Sequence, residues 1–151
     1  IEVHGSTWFD KQGGNFNFMN THTHWEWFSM RFYDNEEIML FNFPQQNYCD
    51  GTYIENNLTS SRLNNYTMKP IKFTEKNGYK FSCGWELKMP KIKDENYKII
   101  PIIDGQMNIA YFEQLCYIYD KDNKEVGMCF VELLPGVYNK KLDAKLLLKN
   151  I

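Results

Sequence analysis

Two short segments near the start of the chain hold residues whose types could do acid chemistry. Trp8-Phe-Asp10 places a carboxyl two residues after an indole, and Trp25-Glu-Trp27 adds two more indoles at i and i+2. Alternation along an extended strand puts Trp25 and Trp27 on one face. An ordinary core has little need of three large rings with polar edges so close in sequence, so the two segments suggest the lining of a site. A carboxyl held among such rings loses solvation, which raises its pKa and lets Asp10 serve as a general acid. Indole faces line apolar pockets and stabilise developing positive charge. Plainer roles compete. Asp10 could end a strand, cap the Gly13-Gly14 turn or pair with Lys11 or Arg31, and the tryptophans could be core or interface.

Other chemistry-bearing residues are less specific. Glu113 and Glu132 sit inside otherwise apolar stretches, where a buried carboxylate must be paired or protonated. Arg31, in the middle of another strand, is a natural partner, and an ion pair fixing strand register is favoured over a pocket role. His22 and His24 share a strand face and could bind zinc, but no third ligand is fixed by spacing, so a solvated loop is the preferred reading and no metal is expected. There is no Gly-x-Ser-x-Gly elbow, no Gly-x-Gly-x-x-Gly and no phosphate loop. Acyl transfer, nucleotide use and phosphoryl transfer have no motif here, and no cofactor is expected. Cys49, Cys83, Cys116 and Cys129 form no Cys-x-x-Cys pair. Three of them lie in strand patterns and read as buried free thiols, with a disulfide as the alternative.

These residues need a scaffold, and the chain offers strands. Its 151 residues fit one domain, with 43% hydrophobic, 24% charged and a high 17% aromatic content. A net charge of −2 and a pI near 5.9 argue against nucleic acid, which would call for a basic patch. No apolar run is long enough to span a membrane as a helix. Expected strands are Ile1–Phe9, His24–Tyr33, Glu37–Phe43, Gly51–Glu55, Thr67–Thr74, Lys80–Met89, Tyr97–Ile103, Ala110–Tyr119 and Glu125–Leu134. Turn signals separate them, among them Asp34-Asn35, Cys49-Asp50-Gly51, Asp104-Gly105 and Asp120-Lys-Asp122-Asn123. Asn56–Asn65 is the most loop-like stretch, and Asp143–Lys149 suggests a short terminal helix or a final strand. Eight or nine antiparallel strands in this length predict an all-β, up-and-down barrel able to hold one small ligand. Several strands are apolar on both faces, which predicts that the barrel's outside is covered too.

The ordered landmarks resemble a known family. Gly5-Ser-Thr-Trp8-Phe-Asp10-Lys-Gln12, Trp25-Glu-Trp27-Phe-Ser, Glu37-Ile-Met-Leu-Phe41, Gly51-Thr-Tyr-Ile54, Tyr111-Phe-Glu113 and Phe130-Val-Glu132-Leu are together similar to the second lipocalin-like domain of the AttH-like and hydroxyneurosporene synthase (acyclic-carotenoid hydratase) family. The match runs to about Tyr138. The resemblance implies a lipocalin-like barrel over residues 1–151, forming the second half of a two-barrel protein, with a companion N-terminal barrel as partner. It implies an apolar small-molecule ligand. It also carries over Asp10 as the acid; Trp8, Gln12, Trp25, Trp27, Arg31, Tyr111 and Glu113 are the candidate ligand contacts. Trp8 departs from the tyrosine found in that slot.

Two functions compete on this footing. One is a cofactor-independent hydratase or isomerase of an unsaturated apolar substrate. The other is a non-catalytic carrier or structural barrel, with any active site in the companion domain. The chain starts at Ile1, so an export signal removed upstream would place it outside the cytoplasm.

Overall fold

Strands form where apolar and polar residues alternate between turn signals, and they dominate the molecule. In a computed structural model, residues 1–5, 7, 9, 25–76, 79–93, 95–106 and 112–134 are described. Among them run nine strands: β1 (Glu26–Phe32), β2 (Glu37–Phe43), β3 (Tyr48–Ile54), β4 (Ser60–Arg62), β5 (Thr67–Lys76), β6 (Tyr79–Lys88), β7 (Asn96–Pro101), β8 (Phe112–Tyr119) and β9 (Glu125–Leu133). A single 3-10 turn, Pro44–Gln46, joins β2 to β3. No helix among the described residues is long and apolar enough to cross a membrane.

The strands make one antiparallel sheet in the order β4-β3-β2-β1-β9-β8-β7-β6-β5. β1 pairs with β9 along its whole length, from Glu26↔Leu133 to Phe32↔Gly127. Because the first and last strands are joined, the up-and-down meander curls into a lipocalin-like half-barrel. Its free edges are β4 and β5. The turns are those the sequence marks. Asn35 and Asn123 take positive φ of 68° and 61°, and Gly105 takes 71°. Asp120 Oδ1 accepts the backbone N–H groups of Asp122 and Lys124, both at 2.9 Å, which fixes the β8–β9 turn.

Alternation decides which residues fill the curl. On β8, Phe112, Gln114, Cys116 and Ile118 are buried, while Glu113, Leu115, Tyr117 and Tyr119 lie on the wetter side. Phe28, Met30 and Phe32 of β1 join Ile38 and Leu40 of β2, Trp85 and Leu87 of β6, and Tyr97 and Ile99 of β7 in one apolar cluster. Each such burial contributes about 1.5–3 kcal/mol.

Two strand expectations change. Ile1–Phe9 was expected as a strand, but residues 1–5, 7 and 9 are exposed and carry no strand pairing. Apolar alternation at Ile1 and Val3 is not sufficient without a ladder partner. The ninth strand is instead Ser60–Arg62, inside the stretch expected to be loop. It is polar, three residues long and fully exposed, and it pairs only with Thr52–Ile54, so no apolar signal could mark it. Residues 143–149, the expected terminal element, lie outside the described residues.

Candidate functional site

The site begins at the first residue of β1. Phe28, Met30 and Phe32 face the interior, so period-2 alternation aims Glu26 inward with them and turns Trp25 and Trp27 to the opposite face. Glu26 is only 3% exposed. It lies at the end of the barrel where β1 and β8 start and β2 and β9 finish. Asn42, its cross-strand partner on β2, donates from Nδ2 to Glu26 Oε2 at 2.7 Å. The buried Ser82 hydroxyl donates to Oε1 at 2.9 Å. The Trp85 indole N–H also bears on the carboxyl, without the geometry of a hydrogen bond. Trp85 packs edge-on against Phe28, with ring centroids 5.2 Å apart.

No cation among the described residues pairs with Glu26. Burial is the largest influence on its carboxyl and pushes the pKa above the ordinary glutamate value, while the contacts from Asn42, Ser82 and Trp85 pull partly the other way. The carboxyl therefore holds its proton to higher pH than an exposed glutamate does, and when protonated it can donate to the Ser82 hydroxyl, which turns to accept. Replacing Ser82 with alanine removes a contact that favours the charged form. The Glu26 pKa is expected to rise further in Ser82→Ala, as read by carboxyl-carbon NMR titration; an unchanged or lower value would contradict the assignment.

Two buried polar atoms extend the cluster. Gln114, wholly buried, donates from Nε2 to the Ser82 carbonyl at 3.2 Å. Its Oε1 and Trp85 Nε1 have no hydrogen-bond partner. An orphan of this kind costs about 1–3 kcal/mol.

The residues expected from the sequence are distributed differently. Trp25 and Trp27 share a face, as alternation requires; it is the one opposite the interior cluster, and both side chains are nevertheless buried. Trp25 Nε1 donates to Glu132 Oε1 at 3.0 Å, and Trp27 lies 6.3 Å from the Phe41 ring. Glu113 and Glu132 face each other across β8 and β9 and are half-buried. Arg31 was expected to pair with them. It pairs instead with its cross-strand neighbour Glu37, at 3.3 Å on an exposed surface. Asp10, Trp8, Gln12, Tyr111, His22 and His24 lie outside the described residues. All four cysteines are free, and Cys83, Cys116 and Cys129 are buried. The opposite end of the barrel holds a cavity of about 220 Å³ bordered by Phe32, Tyr97 and Lys93. There Lys93 lies over the Phe32 ring and binds Asp34 and Glu36, whereas no cation among the described residues approaches Glu26 in this way.

Glu26, Asn42, Ser82, Trp85 and Gln114 were not singled out from the sequence. For three of them the signal was present. Glu26 is in phase with Phe28, Met30 and Phe32, Asn42 with Ile38 and Leu40, and Gln114 with Phe112, Cys116 and Ile118. Ser82 could not have been found this way. The β5–β6 register shifts between Lys72↔Gly84 and Phe73↔Ser82, and this bulge breaks the alternation.

A family model described as AttH-like matches residues 1–136. No protein of curated function matches the sequence. Among solved structures, an AttH protein from Nitrosomonas europaea superposes with a TM-score of 0.64 at 14% identity, covering 78% of this chain and 40% of its own. Kievitone hydratase from Nectria haematococca superposes with a TM-score of 0.59 at 18% identity, covering 74% of this chain and 39% of its own. The chain thus matches about two fifths of the length of either protein, and the likeness concerns the fold.

Proposed function

The chain belongs to the AttH-like family, and from that premise we propose that its barrel binds an apolar small molecule and hydrates or isomerises a carbon–carbon double bond without a cofactor. The observation that carries this reading is the buried Glu26, close to Phe28, Trp85 and Leu133, with its pKa raised by burial and no cation partner among the described residues. Hydration of an isolated alkene needs an acid that is still protonated near neutral pH and surroundings that tolerate a carbocation. Glu26, whose proton burial holds to higher pH than in an exposed glutamate, is the group proposed for the first. The faces of Trp85 and Phe28 supply the second. One structural neighbour is itself a hydratase by name, which agrees with the reading without extending to its substrate. Asp10 is the other proposed acid, on the strength of the sequence motif. A companion barrel is proposed to cover the partly exposed aromatic row of Phe41, Phe43 and Tyr48, whose neighbouring rings lie 5.8–5.9 Å apart.

A carrier would share the apolar interior without turning its ligand over. The two readings separate when the protein is incubated with squalene and shorter acyclic isoprenoid alkenes in H₂¹⁸O. The expected result is a product heavier by one water that carries ¹⁸O. Probe recovered bound but unchanged would favour the carrier, and failure of every probe to bind would overturn both.

A further inference from the structure

We infer that Trp85 Nε1 and Gln114 Oε1 form a subsite for one hydroxyl-type oxygen, from a water molecule or from the alcohol group of a bound apolar molecule. The two atoms belong to one cluster, joined through Ser82 and Glu26. Both side chains are wholly buried and both atoms lack a partner. Trp85 offers a donor and needs an acceptor; Gln114 Oε1 offers an acceptor and needs a donor. The orientation of Gln114 is fixed, because rotating its amide would set Oε1 against the Ser82 carbonyl, two acceptors face to face. The Glu26 carboxyl lies near the Trp85 indole N–H but outside hydrogen-bond geometry, which leaves that donor open to another acceptor. Ethers, ketones and carboxylates cannot donate to Gln114, and ammonium groups cannot accept from Trp85. A hydroxyl does both with one atom.

The subsite gives the proposed hydration its second reactant, and to that extent it rests on the function proposed above. Glu26 transfers its proton to one alkene carbon, forming a C–H bond and leaving a carboxylate and a carbocation. The oxygen held by Trp85 and Gln114 bonds to the cationic carbon. The proton it sheds returns to Glu26. One water is consumed, and the product hydroxyl occupies the place the water held.

A crystal structure of the unliganded protein tests the water arm. An ordered oxygen is expected within about 3.2 Å of both Trp85 Nε1 and Gln114 Oε1; these side chains closed against apolar neighbours with no oxygen between them would overturn the inference. Calorimetry with 1-decanol, 1-methoxydecane and decane tests the alcohol arm. The alcohol is expected to bind about tenfold tighter than the ether or the alkane, and Gln114→Met to remove that preference while keeping decane binding. Equal affinities for the three probes would overturn the alcohol arm. Trp85→Phe, which keeps the ring and deletes only the donor, repeats the comparison should Gln114→Met fold poorly. If the oxygen is present and none of the probes binds, the subsite stands as a water site and the apolar-ligand function falls.

Discussion

Replacing Glu26 with glutamine is expected to lower hydration turnover by about 10²- to 10⁴-fold, the range associated with loss of a general acid. The substitution keeps the shape. The glutamine oxygen can still accept from Asn42, and its amide can donate to the Ser82 hydroxyl, so binding of an unreactive apolar probe should be unchanged. Loss of turnover with binding retained separates proton donation from packing. Wild-type activity should also fall as pH rises through the elevated Glu26 pKa, because only the neutral acid can protonate carbon. Asp10→Asn is the matched comparison. If it abolishes turnover and Glu26→Gln does not, the acid is Asp10.

The same substitution has a stability signature whose sign is fixed. The native state holds the Glu26 proton more tightly than the unfolded chain, where an ordinary glutamate ionises near 4.5. Between that value and the raised native pKa the folded protein binds more protons, so this residue's contribution to stability falls as pH rises. The slope is at most about 1.4 kcal/mol per pH unit. Glu26→Gln carries no such penalty. Its melting temperature should gain on the wild type through that window, and the difference should become constant below pH 4.5.

The second large effect is expected at Gly127. Here β9 passes so close to β1 that a Cβ would stand 2.4 Å from the Arg31 carbonyl oxygen and 2.9 Å from Phe32 Cα. Both contacts are backbone, and no rotamer change relieves them. Gly127→Ala must push apart the β1–β9 ladder, the pairing that curls the sheet and sets Glu26 opposite Leu133. A destabilisation of about 3 kcal/mol is expected from overpacking of this severity. That corresponds to about 6–12 °C in Tm for a domain of this size. Gly84→Ala is the internal control. Its nearest neighbour is the Lys72 Cβ at 3.3 Å, on an edge strand that can move, so it should cost much less. Equal melting temperatures for the two variants would contradict the close-approach argument.

How much could be read beforehand depended on whether a feature leaves a local trace. β2 is bounded as expected, Glu37–Phe43, because polar turns flank an apolar run. The Asp34-Asn35 and Asp120–Asn123 turns were legible from residue types that accept positive φ. The exposed edge strand β4 was not, since its three polar residues are held by pairing alone. Around the site the difficulty was one of emphasis. The three-residue pattern Trp25-Glu26-Trp27 drew attention to its large rings, and alternation sends those rings outward while the smaller residue between them enters the core. Asn42 and Gln114 were in phase with apolar neighbours and could have been found by the same rule. The inward turn of Ser82 depends on the β5–β6 bulge, which only the paired strand reveals.

Glu26 is proposed to keep its proton inside the barrel to higher pH than an exposed glutamate does. A ¹³C titration of the glutamate carboxyl carbons tests it directly, with the Glu26 resonance assigned by its disappearance in Glu26→Gln. This carbon is expected to remain in the protonated range at pH values where exposed glutamates have ionised, with a midpoint above 4.5. A Glu26 midpoint at or below the ordinary glutamate value would contradict it.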